Sequence, residues 1–234
     1  MLLARLREEV WKANLDLVRR GLVIDTFGNI SAVDRDQGRV VIKPSGVAYE
    51  HMTPEDMVVT DLEGQPVDGR LRPSSDLETH LELYRSWPEI RGVAHTHSSY
   101  ATAWAQARRE IPCLGTTHAD CFRGPIPVTE MLSQEEIAGT YERNTGRVIA
   151  RRLTGIPPLE MPAVLVAGHG PFCWAASAME AARLAFLLEE VARLALLSEQ
   201  LRSDCPPIPG PLLERHFTRK HGTSAYYGQN RKPE

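Results

Sequence analysis

Leu3, Leu6, Val10, Ala13, Leu17 and the adjacent Val18 recur at helical spacing. That stripe predicts an amphipathic opening helix, stopped by Gly21. The period then shortens to two. Runs at Asn29 to Val33, Arg39 to Ile42 and Met57 to Asp61, separated by the turn signals Asp36-Gln37-Gly38 and Glu63-Gly64-Gln65-Pro66, read as antiparallel strands. Ser75 or Asp76 can cap a helix through Leu77, His80, Leu81 and Tyr84 to about Trp87, where Pro88 forces the exit. A strand carrying His95 and His97 follows, and Ser98 or Ser99 opens a helix through Ala101, Thr102 and Trp104 to about Ala107.

Further on, Ser133 and Glu136 form a capping box at Gln134, and Pro162 to Ala167 reads as a strand. Ser177 caps a long helix whose Leu184, Leu187, Leu188, Val191, Leu194, Ala195 and Leu201 repeat at helical intervals, a stripe assigned to core packing. Strands and helices mixed without a regular βα repeat predict a three-layer α/β/α fold with a central, mainly antiparallel sheet flanked by helices. One domain over residues 1–234 is expected, with a tail from about residue 206, past Pro206, Pro207, Pro209 and Pro211.

Composition narrows the partners. A net charge of −3 offers no basic excess, so neither nucleic acid nor an anionic membrane surface is an expected partner. Cys113, Cys121, Cys173 and Cys205 form no CxxC pair and read as reduced thiols of a cytoplasmic protein. Arg5, Arg7, Glu8, Glu9, Lys12 and Asp16 break up the first twenty residues, so no signal peptide is expected there. Arg183, Glu189, Glu190, Arg193 and Glu199 likewise rule the stretch from Ala181 to Leu201 out as a membrane span.

Candidate chemistry begins at Arg91-Gly-Val-Ala-His-Thr-His-Ser-Ser99, where Val93, His95 and His97 alternate at strand spacing and are expected on one face. A third imidazole, His169, ends the apolar run Val164-Leu-Val-Ala-Gly-His-Gly-Pro171. Three histidines with an open fourth position suit one catalytic divalent ion, zinc first, since structural zinc sites are usually closed by cysteines. Gly28-Asn29, Lys43, Ser45-Gly46 and Ser74-Ser75 are candidates for phosphate binding: small residues let amides approach oxygens, hydroxyls donate, and Lys43 adds charge. Each of these segments also reads as an ordinary turn or helix start.

Seven blocks, in order, raise the signal above that of any single motif: Phe27-Gly-Asn-Ile-Ser-Ala-Val-Asp34, Val41-Ile-Lys-Pro-Ser-Gly-Val47, Arg72-Pro-Ser-Ser-Asp76, His95-Thr-His-Ser98, Gly115-Thr-Thr-His-Ala-Asp120, Gly168-His-Gly-Pro-Phe172 and Arg219-Lys-His-Gly-Thr-Ser-Ala-Tyr-Tyr-Gly228. On these blocks the chain resembles the L-ribulose-5-phosphate 4-epimerases of the class II aldolase family along almost its whole length. The resemblance implies substrate-phosphate contacts at Asn29, Ser45, Gly46, Ser74 and Ser75, and an acid/base role for Asp120. Thr116 and Thr117 are expected at substrate hydroxyls. Asp76, where related aldolases carry a glutamate that ligates metal and acts as a base, is expected as a metal ligand or as a support for one. The tail is implied to reach a neighbouring subunit's site, with Tyr227 as the acid/base partner of Asp120 and His216 assisting, in a homo-oligomer of tetrameric type.

Inverting C4 of a 2-ketose by direct deprotonation would leave an unstabilised carbanion. Cleavage of C3–C4 with metal-assisted charge stabilisation, rotation of the bound aldehyde and re-addition avoids it. Two proton-transfer groups on opposite sides of the aldehyde are then required. The implied substrate is a pentulose phosphate, with L-ribulose 5-phosphate and D-xylulose 5-phosphate interconverted. A class II sugar-phosphate aldolase and a noncatalytic assembly domain of the adducin-head type are the alternatives. Asp76 in place of glutamate disfavours the first, and the complete histidine set the second.

Overall fold

The computed structural model describes residues 1–221 together with residues 225, 226 and 228. In chain order the elements are α1 (Ala4–Arg19), β1 (Asn29–Asp34), β2 (Arg39–Ile42), β3 (Val58–Asp61), β4 (Pro66–Asp68), α2 (Leu77–Ser86), β5 (Gly92–His95), α3 (Ser99–Ala107), α4 (Thr116–Ala119), α5 (Gln134–Ala138), α6 (Tyr141–Arg152), β6 (Ala163–Val166), β7 (Gly170–Ala175), α7 (Ala178–Leu201) and α8 (Gly210–His221). The strands form one sheet of seven in the order β4-β3-β2-β1-β5-β7-β6, and every named pair is antiparallel.

Strand alternation divides this sheet into two buried faces. Ser31, Val93 and Trp174 are cross-strand partners and share one face. Ser31 Oγ meets His80 Nδ1 at 2.7 Å and the Tyr84 hydroxyl at 2.8 Å, so α2 lies on that face, with α6 packed beside it. The other face carries Ile30, Ala94 and Cys173. It is covered by α7, flanked by α1 and α3. Gly92 is forced by this packing, because a Cβ there would stand 2.3 Å from the Ser177 carbonyl oxygen. The three expected layers are present, and among the described residues nearly all buried apolar side chains form one cluster.

Most predicted boundaries lie within two residues of the observed ones. The capping box at Ser133 is made, and Ser177 Oγ accepts from the Glu180 amide. Three features differ. First, β5 ends at His95, so His97 is not on the strand: the chain turns through Thr96 to begin α3 at Ser99. The α3 amides of Tyr100 and Ala101 donate to the Glu189 carboxylate of α7, which anchors that turn. Second, the α7 stripe is only partly core. Leu184, Leu188, Val191 and Ala195 are buried, whereas Leu194 and Leu201 are 43% and 91% exposed. A helix of 24 residues extends about 36 Å, far beyond the four- and six-residue strands it crosses. Third, β4, α4, α6, β7 and α8 were not expected from the sequence; α6 and α8 are polar overall, β4 is a three-residue edge strand and α4 a single turn.

Candidate metal centre and substrate site

The sheet delivers the first two pieces of the site. His95 closes β5 and is the cross-strand partner of Asn29 on one side and Phe172 on the other. Phe172 lies flat on the His95 imidazole, with centroids 4.1 Å apart and planes 13° apart. His95 Nδ1 donates to the Pro171 carbonyl at 2.9 Å, which fixes the tautomer and leaves the Nε2 lone pair free. His97 follows the strand end, and His169 stands in the turn between β6 and β7. Their rings meet edge-on, with centroids 4.7 to 5.1 Å apart.

One nitrogen from each of the three histidines lies within 4.8 Å of the others, and among the described residues this group could hold a metal ion. His95 Nε2 and His97 Nε2 are 3.1 Å apart. Zinc–nitrogen bonds of about 2.0 Å in a tetrahedron place ligand atoms about 3.3 Å apart, so the spacing fits a single ion. His169 Nδ1 is buried without a hydrogen-bond partner. Burial, followed by the field of the neighbouring imidazoles, pushes His169 down to about 4 and lowers His97, keeping both neutral as ligands must be.

Asp76 stands beside this group rather than in it. Its Oδ2 accepts from Asn29 Nδ2 at 2.6 Å. Burial works against its ionisation, but His95, His80 and the Asn29 amide outweigh that and hold the carboxyl below its ordinary range. The carboxylate acting on His97 and His169 is Asp76.

Lys43, Ser45, Gly46, Ser74 and Ser75 lie on two adjoining loops, whereas Asn29, also expected at the phosphate, is buried on β1 with its Nδ2 on Asp76. The Ser45 amide donates to the Arg72 carbonyl and the Ser74 amide to the Lys43 carbonyl, so segments 43–47 and 72–76 run side by side. Ser45, Gly46 and Ser75 are exposed on them; Ser74 is buried, and its Oγ accepts weakly from the Asp76 amide at 3.4 Å. Gly46 has φ of 66°, a backbone conformation that favours glycine, and open space around its Cα. Gly28, with φ of 98°, presses against the His95 carbonyl. Lys43, like Asn29, is turned inward. Its ammonium is buried, donates to the carbonyls of Pro44 and Val47, and lies 4.7 Å above the Tyr49 ring. The structure thus uses Lys43 to hold the loop rather than to present a charge from it.

These features agree with the known proteins the chain is similar to. The Class II Aldolase and Adducin N-terminal domain family matches residues 8–196. The chain belongs to this class II aldolase family. Proteins named L-ribulose-5-phosphate 4-epimerase UlaF, from Salmonella paratyphi A and from Salmonella typhi, are each 54% identical over 225 residues, covering 96% of this chain and 99% of theirs. Among solved structures, an L-fuculose 1-phosphate aldolase superposes with a TM-score of 0.78 at 26% identity, covering 92% of this chain and 96% of that one. An l-fuculose-1-phosphate aldolase from Thermus thermophilus gives 0.68 at 26% identity, covering 86% and 98%.

Within this class II aldolase chain, Asp120 is not a member of the histidine group. It follows α4 and is gripped by α8: Oδ1 accepts from His216 Nδ1 at 3.0 Å and Arg219 Nε at 2.9 Å, and Oδ2 accepts from Arg219 Nη2 at 2.6 Å. Lys220 Nζ adds a contact at 3.4 Å, and His221 Nε2 reaches the Asp120 carbonyl at 3.0 Å. Burial opposes ionisation here too, yet the Arg219 and His216 hydrogen bonds win and lower the carboxyl. The structure thus brings together Asp120 and His216, two of the residues expected at the substrate. Thr116 and Thr117 begin α4, and Thr117 lines a cavity of about 210 Å³ with Leu114, Val191 and Leu194, to which none of the three histidines contributes. Tyr227 lies outside the described residues.

Several residues near the metal group escaped sequence reading. Phe27, 54% exposed, stacks on His97 at 5.7 Å, and Tyr141 at the start of α6 has its ring 6.4 Å from His169. His80 is fully buried one helical turn after Asp76. Only the last had a signal, since Asp76 and His80 at i and i+4 share a helix face.

Proposed function

We propose that this chain is an isomerase that interconverts L-ribulose 5-phosphate and D-xylulose 5-phosphate, the 4-epimerase reaction for which its 54%-identical relatives are named. The observation that carries the reading is the closure of His95, His97 and His169 into one metal-sized group within a chain so similar to those relatives over nearly its full length. The three histidines would hold one divalent ion, zinc first. When bound, the ion supplies Lewis-acid stabilisation of negative charge on substrate oxygens as C3–C4 breaks.

The chain's own residues do the rest. Ser45, Gly46, Ser74 and Ser75 hold the phosphate, so the aldehyde half of the substrate stays in place while it turns its other face. Asn29 orients Asp76, and the Asp76 carboxylate balances charge beside the imidazoles. Asp120 and Tyr227 move protons on opposite sides of the C4 oxygen, with His216 setting the orientation of Asp120 through its 3.0 Å contact. Because Asp120 and His216 are joined within one chain, both go with the tail to a neighbouring subunit's histidines, in a homo-oligomer of tetrameric type. The domain spans residues 1–234, and its tail completes that neighbouring site. Among the described residues no helix is long and apolar enough to cross a membrane, which suits a cytoplasmic enzyme acting on a small sugar phosphate.

The test is NMR of the product formed from L-ribulose 5-phosphate by purified, zinc-loaded protein. C4-inverted pentulose phosphate is expected to exceed free cleavage products greatly. Release of glycolaldehyde phosphate and dihydroxyacetone as the main products would replace this reading with an aldolase.

A further inference from the structure

The loop of residues 43–47 and the metal group are both held by one buried side chain. Tyr49 opens the short 3-10 turn Tyr49–His51 that follows this loop. Its hydroxyl donates to the Gly28 carbonyl at 2.7 Å, and the direction is settled because a backbone carbonyl only accepts. The Lys43 ammonium lies over its ring at 4.7 Å and donates to the carbonyls of Pro44 and Val47 at 3.2 and 3.3 Å. Tyr49 therefore carries the clasp of the loop on its ring and the Gly28 peptide on its hydroxyl.

Gly28 is where that hold reaches the histidines. A Cβ there would stand 3.1 Å from the His95 carbonyl oxygen, 3.6 Å from the Thr96 Cα and 3.7 Å from the Tyr49 hydroxyl. Gly28 is thus packed on the backbone that leads from His95 to His97. It also precedes Asn29, the cross-strand partner of His95 and the donor to Asp76. A shift of the Gly28 carbonyl passes to the backbone that spaces two of the three histidines, since a close-packed interior has no slack to absorb it. At the other end, Lys43 sits at the root of the loop that carries Ser45 and Gly46.

We propose that Tyr49 is a positioning residue that fixes the separation between the phosphate loop and the metal group, its ring holding Lys43 and its hydroxyl holding Gly28 against the His95–Thr96 backbone. The role rests on the proposed function, in which the loop holds phosphate and the histidines hold the ion. The substrate carries its phosphate on C5 and breaks at C3–C4, so a fixed separation places the breaking bond at the ion. A tyrosine that merely filled space beside α1 would alter stability instead.

Three full-length variants separate these roles. Tyr49→Phe keeps the ring and loses the hydroxyl, and Tyr49→Leu loses both. Trp11→Phe is the control: it removes the bond from Trp11 Nε1 to the Met52 carbonyl, 2.7 Å, at the end of the same turn, and that bond involves neither Gly28 nor Lys43. The readouts are kcat and KM for L-ribulose 5-phosphate, the zinc dissociation constant from competition with a chromogenic chelator, the affinity of the metal-free protein for inorganic phosphate from phosphorus NMR titration, and its melting temperature. Tyr49→Phe is expected to lower kcat and zinc affinity about tenfold each, with KM and phosphate affinity within about twofold of wild type. Tyr49→Leu is expected to lose phosphate affinity about tenfold as well, with a matching rise in KM. Trp11→Phe is expected to lower the melting temperature and leave the other constants at wild-type values. Wild-type kcat or wild-type zinc affinity in Tyr49→Phe overturns the proposal. So does wild-type phosphate affinity in Tyr49→Leu, or a Trp11→Phe with the same losses as Tyr49→Phe. Tyr49→Phe carries the test alone if Tyr49→Leu does not fold. If wild-type protein neither inverts C4 nor binds zinc, the proposed function falls and takes this role with it; if wild type does both and the variants match it, the role of Tyr49 falls alone.

Discussion

His216 Nδ1 meets Asp120 Oδ1 at 3.0 Å within one chain, and Arg219 clamps the same carboxylate through two further bonds. Whatever moves α8 toward another subunit carries Asp120 with it, so the proposed function makes the proton-transfer half of the site and the histidine half separable between chains. Mixing inactive His97→Ala with inactive Asp120→Asn subunits is expected to restore activity, because random pairing leaves roughly one site in four with both halves intact. Mixing Asp120→Asn with Tyr227→Phe is expected to restore none, since both lesions fall on the same half. The measurement is epimerase activity after demonstrated subunit exchange, and the reverse pattern would show that Asp120 serves its own chain's histidines.

Loss of any one histidine should empty the metal group. Elemental analysis of His97→Ala and His169→Ala is expected to find zinc occupancy reduced to near background, and a strong chelator should abolish wild-type activity until divalent ion is restored. Full metal content in both variants would refute the assignment.

Gly28 has no side chain to offer, but its position is demanding. With φ of 98° and a prospective Cβ only 3.1 Å from the His95 carbonyl, Gly28→Ala strains the backbone that sets the strand end. A stability loss of about 1 to 3 kcal/mol is expected from denaturant unfolding, together with weaker zinc binding. Gly46→Ala, with open space around it, should cost less.

Acid sensitivity should have a histidine component. His118 is buried, its Nε2–H donates to the Gly124 carbonyl at 2.8 Å, and burial pushes it down to about 4 from 6.5. The unfolded chain therefore binds more protons between these values, and stability rises with pH across the window. The contribution is fully present above about pH 6.5 to 7 and declines as pH falls toward about 4, by on the order of 3 kcal/mol. Urea unfolding of the metal-free protein at pH 7.5, 6 and 5 should show the slope. In His118→Gln, which keeps a donor for Gly124 without a titrating ring, the slope should be shallower, and an unchanged slope would exclude His118 as its source.

What the chain alone determined was local. Period and capping residues located α1, α2, α3, α7 and the strands through β3, because stripe, cap and turn are properties of neighbouring residues. The seven short blocks carried the family, and the histidines carried the metal chemistry. The sequence could not decide how distant segments meet. The Asn29–Asp76 and Ser31–His80 hydrogen bonds depend on α2 crossing β1, and their members lie 47 and 49 residues apart. His97 left its strand because α3 has to start against Glu189, 88 residues or more further along. Lys43 read as a phosphate charge in sequence, and only its burial against Pro44, Val47 and Tyr49 turned it inward. Asp120 read only as an acid/base residue, and only the docking of α8 brought the Arg219 clamp and the His216 contact to it. Residue types state which bonds a side chain is able to make. Tertiary packing selects among them, since a buried donor or acceptor must take the partner that the fold places within reach.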